Sequence, residues 1–306
     1  MTMPVRVGAP DGPSRGAARG DSWRRTGSGF YVPASVSATP EQRIVEAALP
    51  LPRGGRLTGW ASLRLQRGAF FDGRGSQVPI VVDDQVHPRP RPGVRWIRRP
   101  QDGSLTHLHG LPLVPAAEAL IDHVLQLLAA GHPRPAVVAV DMAVAARLCT
   151  LDSVTAAVHA RPRIRGRSRV LEVLARAREG SASPPESRLR LLWTLDTVIP
   201  EPILNPWVLD ESGRRIGAPD LLEPCSGLAV EYDGSPHAGA RRRARDADKD
   251  DLYRECGIEC VRVTGPDMQT PLRVIDRLER AYARALTAAR PQRWKLGGSF
   301  TGTCRT

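Results

Sequence analysis

An α/β fold is predicted for the C-terminal part of this 306-residue chain, and three observations predict it. A capped amphipathic helix opens at Ser183. Three short apolar runs follow, two of them ending in carboxylates. A charged helix, a strand apolar on both faces and a last helix complete the series. The region upstream reads as mixed α+β.

Each element has a local cause. Residues 1–39 are rich in Gly, Pro, Ser and Arg and lack periodicity, so most of them read as disordered. The exception is strand-like Gly29-Phe30-Tyr31-Val32-Pro33. Residues 40–180 read as the mixed α+β domain. Its helices are expected after Thr39-Pro40 and over residues 57–66, 113–127, 135–148, 154–160 and 170–177; its strands, over 78–82 and 94–97. Residues 161–169 hold five arginines in nine residues. Two readings stand for that bend, a phosphate clamp and a solvated turn. The Gly180-Ser181-Ala182-Ser183 stretch marks the domain boundary.

The second domain is read over residues 183–290. Ser183-Pro184-Pro185-Glu186 is a capping box with Pro first in the helix, and Pro200 and Pro202 stop it. Strands are expected at 203–209, 216–222 and 228–232, with Asp210-Glu211-Ser212-Gly213 as a hairpin turn. A charged helix runs from Arg241 to Cys256 and ends at Gly257. A strand at 258–263 and a helix at 267–289 follow, and residues 291–306 read as a loose tail.

Composition bounds the function. The net charge is +12, and residues 1–183 carry 25 Lys and Arg against 14 Asp and Glu. Residues 184–290 are near neutral, with 16 against 18. Basic charge draws polyanions, although all but two of the basic residues are Arg, as base composition alone could produce. No run of about 18 apolar residues occurs, so no membrane span is expected. The first twenty residues lack a signal-peptide core. Five scattered cysteines form no zinc pattern and read as unpaired thiols, so the cytoplasm is the expected location.

The chemistry lies in Ile216-Gly217-Ala218-Pro219-Asp220 and in Leu228-Ala229-Val230-Glu231-Tyr232-Asp233-Gly234-Ser235-Pro236-His237. Period two puts Glu231 and Asp233 on one strand face and Val230 and Tyr232 on the other. If the two runs pair as a hairpin, Asp220 reaches the same end. Crowded carboxylates repel unless a cation sits between them, and oxygen ligands suit magnesium or manganese. Their alternative roles are a turn acid for Asp220, a tight turn at Asp233-Gly234 and a surface position for His237. For Glu186 the alternative is the cap alone.

These residues resemble the PD-(D/E)xK, restriction-endonuclease-like superfamily, and within it Vsr-like endonuclease domains. The match rests on Pro184-Pro185-Glu186-Ser187-Arg188, Asp220, Glu231-Tyr232-Asp233-Gly234 with His237, Asp246 and Lys249, and Gly257 with Val261-Arg262-Val263-Thr264. It implies an αβββαβα domain that cleaves DNA with Mg2+ or Mn2+. By the resemblance Asp220 and Glu231 hold the metal, Asp233 is a further ligand, and Glu186 and His237 join the catalytic set. The superfamily's usual Lys, two residues after the second acid, is Asp233 here. Arg241, Arg242, Arg243, Arg245 and Lys249 are candidate nucleic-acid contacts, or a solvated helix face. Gly29–Pro33 resembles the wing of a winged helix. Residues 58–63 and those from 110 onward resemble the segment that follows an AbiEi-type antitoxin winged helix. A metal-dependent DNA endonuclease in repair or phage defence is thus expected. The other expectation is a non-catalytic, AbiEi-like DNA-binding regulator with a nuclease-like scaffold. DNA is the expected partner, with a protein partner for the N-terminal region.

Overall fold

The computed structural model describes the whole chain except residues 28, 102–104, 162, 235–239, 289–291 and 298–306; for residues 240–247 it describes the backbone alone. The chain divides into two units, Met1–Ala177 and Arg178–Thr306. The boundary falls just before the glycine- and serine-rich stretch that predicts it.

In the first unit, the segment expected to lack regular structure forms a three-stranded sheet. Val5–Arg6 and Trp23–Gly27 both pair antiparallel with Phe30–Pro33. The strand-like piece expected at residues 29–33 is the middle strand of that sheet, with Phe30 and Val32 buried, and the two outer strands fall where no regular structure was expected. A five-stranded sheet follows, ordered Val94–Arg98, Val78–Val82, Arg56–Leu57, Leu111–Leu113, Thr106–Leu108. Val78–Val82 is buried along its whole length, as its unbroken apolar run requires. The helices Pro40–Ala47, Gly59–Leu65, Ala116–Ala129, Pro133–Ala145, Leu151–Ala160 and Arg167–Arg176 belong to the same unit.

One buried carboxylate organises this unit. Asp122 is 3% exposed. It accepts from Thr58 Oγ1 at 2.5 Å, Arg99 Nη2 at 3.3 Å and Arg161 Nη1 at 2.7 Å. A carboxylate out of water needs such partners. In the arginine-rich bend, Arg167 donates to Arg161 O and Arg169 to Leu128 O. Three of its five arginines therefore hold the bend itself, and Arg163 and Arg165 stay exposed.

The second unit opens with the Pro184–Asp196 helix, capped by Ser183. Its main sheet runs Glu259–Thr264, Leu228–Asp233, Leu221–Glu223, Ile203–Leu204. The first two strands are parallel and the remaining pairs antiparallel. The Ala240–Glu255 helix makes the crossover between the parallel strands, as parallel pairing demands. Leu228 and Val230 pack with Leu189 and Trp193 of the first helix, Val263 of the neighbouring strand and Leu278 of the last helix. Ala229 and Leu222 pack on the opposite side with Tyr253, Cys256 and Ile258.

Two expected strands are each divided. Residues 203–209 break at Asn205, whose φ is +47°. Ile203–Leu204 stays in the main sheet. Trp207–Asp210 joins a second sheet with Arg215–Gly217 and Trp294–Gly297. Residues 216–222 break at Ala218-Pro219, before Leu221–Glu223. The tail is corrected too: Trp294 is buried and its strand pairs with Trp207–Asp210. The remainder, residues 298–306, lies outside the described residues. Cys149, Cys256 and Cys260 are free thiols, but Cys225 is disulfide-bonded. The cysteines therefore no longer argue for a reducing compartment. Among the described residues, no helix is long and apolar enough to cross a membrane.

Candidate active site

The hairpin brings Asp220 to Glu231. Leu221 pairs with Val230, Leu222 with Ala229 and Glu223 with Leu228. Asp220 is thus the next residue beyond the ladder, beside Glu231. Asp220 Oδ2 accepts from the Tyr232 amide at 2.6 Å, and its carbonyl accepts from the Asn205 amide at 3.0 Å. A side chain here takes over the role of a ladder carbonyl. Tyr232 packs into the apolar cluster beneath the last helix, so Glu231 faces the other way, as period two predicts.

On that face the Ala240–Glu255 helix supplies the partners. Lys249 Nζ donates to Glu231 Oε1, and Tyr253 Oη donates to the same oxygen at 3.3 Å. Lys249 and Tyr253 are four residues apart, hence on one helical face. The Lys249 and Glu231 side chains are only 25% and 17% exposed. The strand Arg215–Gly217 leaves room for them. A Cβ on Gly217 would lie 2.5 Å from Tyr253 Oη and 2.6 Å from Lys249 Cε.

Electrostatics single out Asp220. Burial raises its pKa to about 6, the Tyr232 amide opposes this, and the charges of Glu186 and Glu231 add to it. Lys249 pulls the other way without cancelling them. Burial first, then the Glu231 charge, pushes the Tyr253 phenol well above its ordinary value. The same two causes raise the Cys260 thiol to about 12. Tyr253 is therefore a hydrogen-bond donor at neutral pH, and Cys260 is not a thiolate nucleophile.

Glu186 serves the cap. It accepts from the Ala182 amide and Ser183 Oγ, both at 2.8 Å, and from Asn205 Nδ2 at 3.2 Å. Its charge nonetheless reaches Asp220. Asp233 shares the strand face of Glu231, opposite Thr264 on the parallel neighbour. Yet no group of three or more His, Cys, Asp or Glu residues suited to a metal forms among the described residues. Of the expected Asp220, Glu231 and Asp233 set, the hairpin register sets Asp220 beside Glu231, and the Glu231 charge acts on Asp220.

His237 lies outside the described residues, as do the side chains of Arg241, Arg242, Arg243 and Arg245. Lys249, a candidate nucleic-acid contact, pairs with Glu231. Arg262 pairs with Asp250. Sequence reasoning missed Tyr253, Asn205 and the steric role of Gly217. The four-residue spacing of Lys249 and Tyr253 was the signal available for the first.

No protein-family model, curated protein or solved structure matches this chain.

Proposed function

We propose that this chain is a metal-dependent endonuclease that hydrolyses DNA phosphodiester bonds at Asp220, Glu231 and Lys249. The observation that carries the reading is the pairing of two half-buried carboxylates across neighbouring strands, with a lysine set on one of them from the covering helix. The resemblance to Vsr-like, restriction-endonuclease-like domains supports it through the order of elements and the Glu231-Tyr232-Asp233-Gly234 run.

Burial first, and then the charges of Glu186 and Glu231, raise the pKa of Asp220, and a cation held between Asp220 and Glu231 would favour the charged form again. Asp220 and Glu231 are the residues that would hold Mg2+ or Mn2+. Such an ion supplies a water acidic enough to act near neutral pH and offsets charge on the phosphate. Lys249 carries the positive charge that the sequence lacks at Asp233. Its ammonium can stabilise the developing negative charge on a phosphate oxygen. Tyr253 orients Glu231, and Glu186 adds negative charge while remaining in its cap. DNA is the proposed substrate and the cytoplasm the proposed setting.

A second reading has its own support. Lys249 already neutralises Glu231, and a non-catalytic, AbiEi-like DNA-binding regulator built on a nuclease-like scaffold fits that pairing. In it the N-terminal unit meets DNA or a protein partner.

Supercoiled plasmid incubated with the purified full chain and Mg2+ or Mn2+ separates the two. Nicking by the wild type, lost in Glu231→Ala and in Lys249→Met, supports the endonuclease. Intact plasmid in every lane, with salt-sensitive retardation of DNA, supports the regulator.

A further inference from the structure

Two basic segments of the N-terminal unit converge on one buried acid. Residues 87–99 contain five arginines and no carboxylate; so do residues 161–169. Arg99 ends the first segment and Arg161 begins the second. Both donate to Asp122, at 3.3 and 2.7 Å. The two segments are therefore neighbours in space although about sixty residues apart in sequence.

Their remaining arginines divide by role. Arg91 stacks on Trp96 at 5.6 Å and donates to Pro50 O at 2.9 Å, which fixes the proline-rich turn. Arg167 and Arg169 donate to carbonyls. Arg89, Arg95, Arg98, Arg163 and Arg165 are exposed, and no carboxylate pairs with them among the described residues. Three arginines of the last helix, Arg277, Arg280 and Arg284, each meet an acid instead: Asp267, Asp276 and Glu259. The strand that carries Arg95 and Arg98 is an edge of the five-stranded sheet.

We infer that Arg89, Arg95, Arg98, Arg163 and Arg165 form a phosphate-contacting surface for duplex DNA, with Asp122 as the residue that positions both arms. Unneutralised guanidiniums attract phosphates through charge and counterion release. The surface suits a duplex rather than unpaired bases, because it offers no free aromatic ring to stack on. Trp96, the only aromatic of the strand, is covered by Arg91 and donates to Arg89 O. The inference shares with the endonuclease reading only the choice of polymer; it does not require cleavage at Glu231.

Fluorescence anisotropy with the full chain and a random-sequence, 20-base-pair duplex tests it, with EDTA present so that cleavage plays no part. Arg95→Glu/Arg98→Glu and Arg163→Glu/Arg165→Glu are each expected to weaken binding ~10-fold or more, and to lower the slope of log affinity against log salt by about 0.9 for every phosphate that is no longer neutralised. Lysine at the same positions should restore most of the affinity. Arg15→Glu/Arg19→Glu, an equal change of charge outside both segments, should cost clearly less. Equal losses in that control would overturn the surface, because net charge alone would then explain binding. So would unchanged affinity in the two test variants, tighter binding to single-stranded RNA, or binding to phosphatidylserine vesicles in place of DNA. Failure of plasmid nicking with this arginine dependence intact would reject the endonuclease and leave the surface standing.

Discussion

Lys249 reaches Glu231 from a helix, and Tyr253, one turn further on, donates to the same carboxylate oxygen. The cation beside the strand acid therefore comes from the crossover element and not from the strand. Because the pair is mostly buried, its members depend on each other: removing one leaves the other charged in a poor solvent. Glu231→Gln and Lys249→Met are each expected to destabilise the protein by roughly 1–3 kcal/mol, and the double variant by less than the sum of the two. Urea denaturation of the four proteins in this cycle measures the coupling. Strict additivity would show that the ion pair contributes nothing.

Asp220 gives the site a pH dependence whose sign is fixed. Its folded pKa, about 6, lies above the reference value of 3.8. Between those values the folded chain binds the proton more tightly than the unfolded chain does. Stability contributed by protonated Asp220 is thus present at low pH and is lost as pH rises through about 6. Without metal, Asp220→Asn should melt about 3 °C higher than the wild type near pH 8. That gain should shrink as the pH falls toward 4.5. Thermal scans in EDTA across that range check it, and a gain that ignores pH contradicts the assignment. Mg2+ should raise the melting temperature of the wild type near pH 8 and not that of Asp220→Asn.

Much of this arrangement was legible because it is local. The Ser183 cap, the hairpin turn ending at Gly213, the crossover helix and the facing of Glu231 all follow from spacing over a few residues. Non-local relations were not legible. Nothing in the tail announces that Trp294–Gly297 pairs with Trp207–Asp210, about 85 residues away. Of the N-terminal sheet only the middle strand, which carries Phe30 and Val32, was legible; loop-like composition masks the outer strands Val5–Arg6 and Trp23–Gly27. Alternation placed Asp233 on the right face, but it could not say whether three carboxylates meet.

Asp122 should be the costliest acid to remove from the N-terminal unit. Asp122→Ala strands Arg161, which is 13% exposed, leaves the 10%-exposed Arg99 with Glu118 as its carboxylate partner, and leaves Thr58 without its acceptor. A loss of roughly 3–5 kcal/mol is expected. Asp122→Asn keeps an acceptor for Thr58 and should lose less. Chemical denaturation followed by tryptophan fluorescence compares them. Equal stability of Asp122→Ala and wild type would mean that the two arginines find other partners.

Gly217 offers the most selective probe of the second unit's site. Its backbone is not in the left-handed region, so glycine is not required there for φ. What the position requires is space, because an added Cβ would sit against the Tyr253 hydroxyl and the Lys249 stem. Both side chains have flexible ends, so Gly217→Ala is expected to displace them more readily than the main chain. The fold should survive, at a cost of about 1–2 kcal/mol. Lys249 should leave Glu231, and plasmid nicking should fall ~10-fold or more while DNA binding by the N-terminal unit's arginines stays as it was. Nicking rates beside anisotropy on the same preparation read both. A nicking rate equal to that of the wild type would show that the Lys249–Glu231 pair is not part of the reaction.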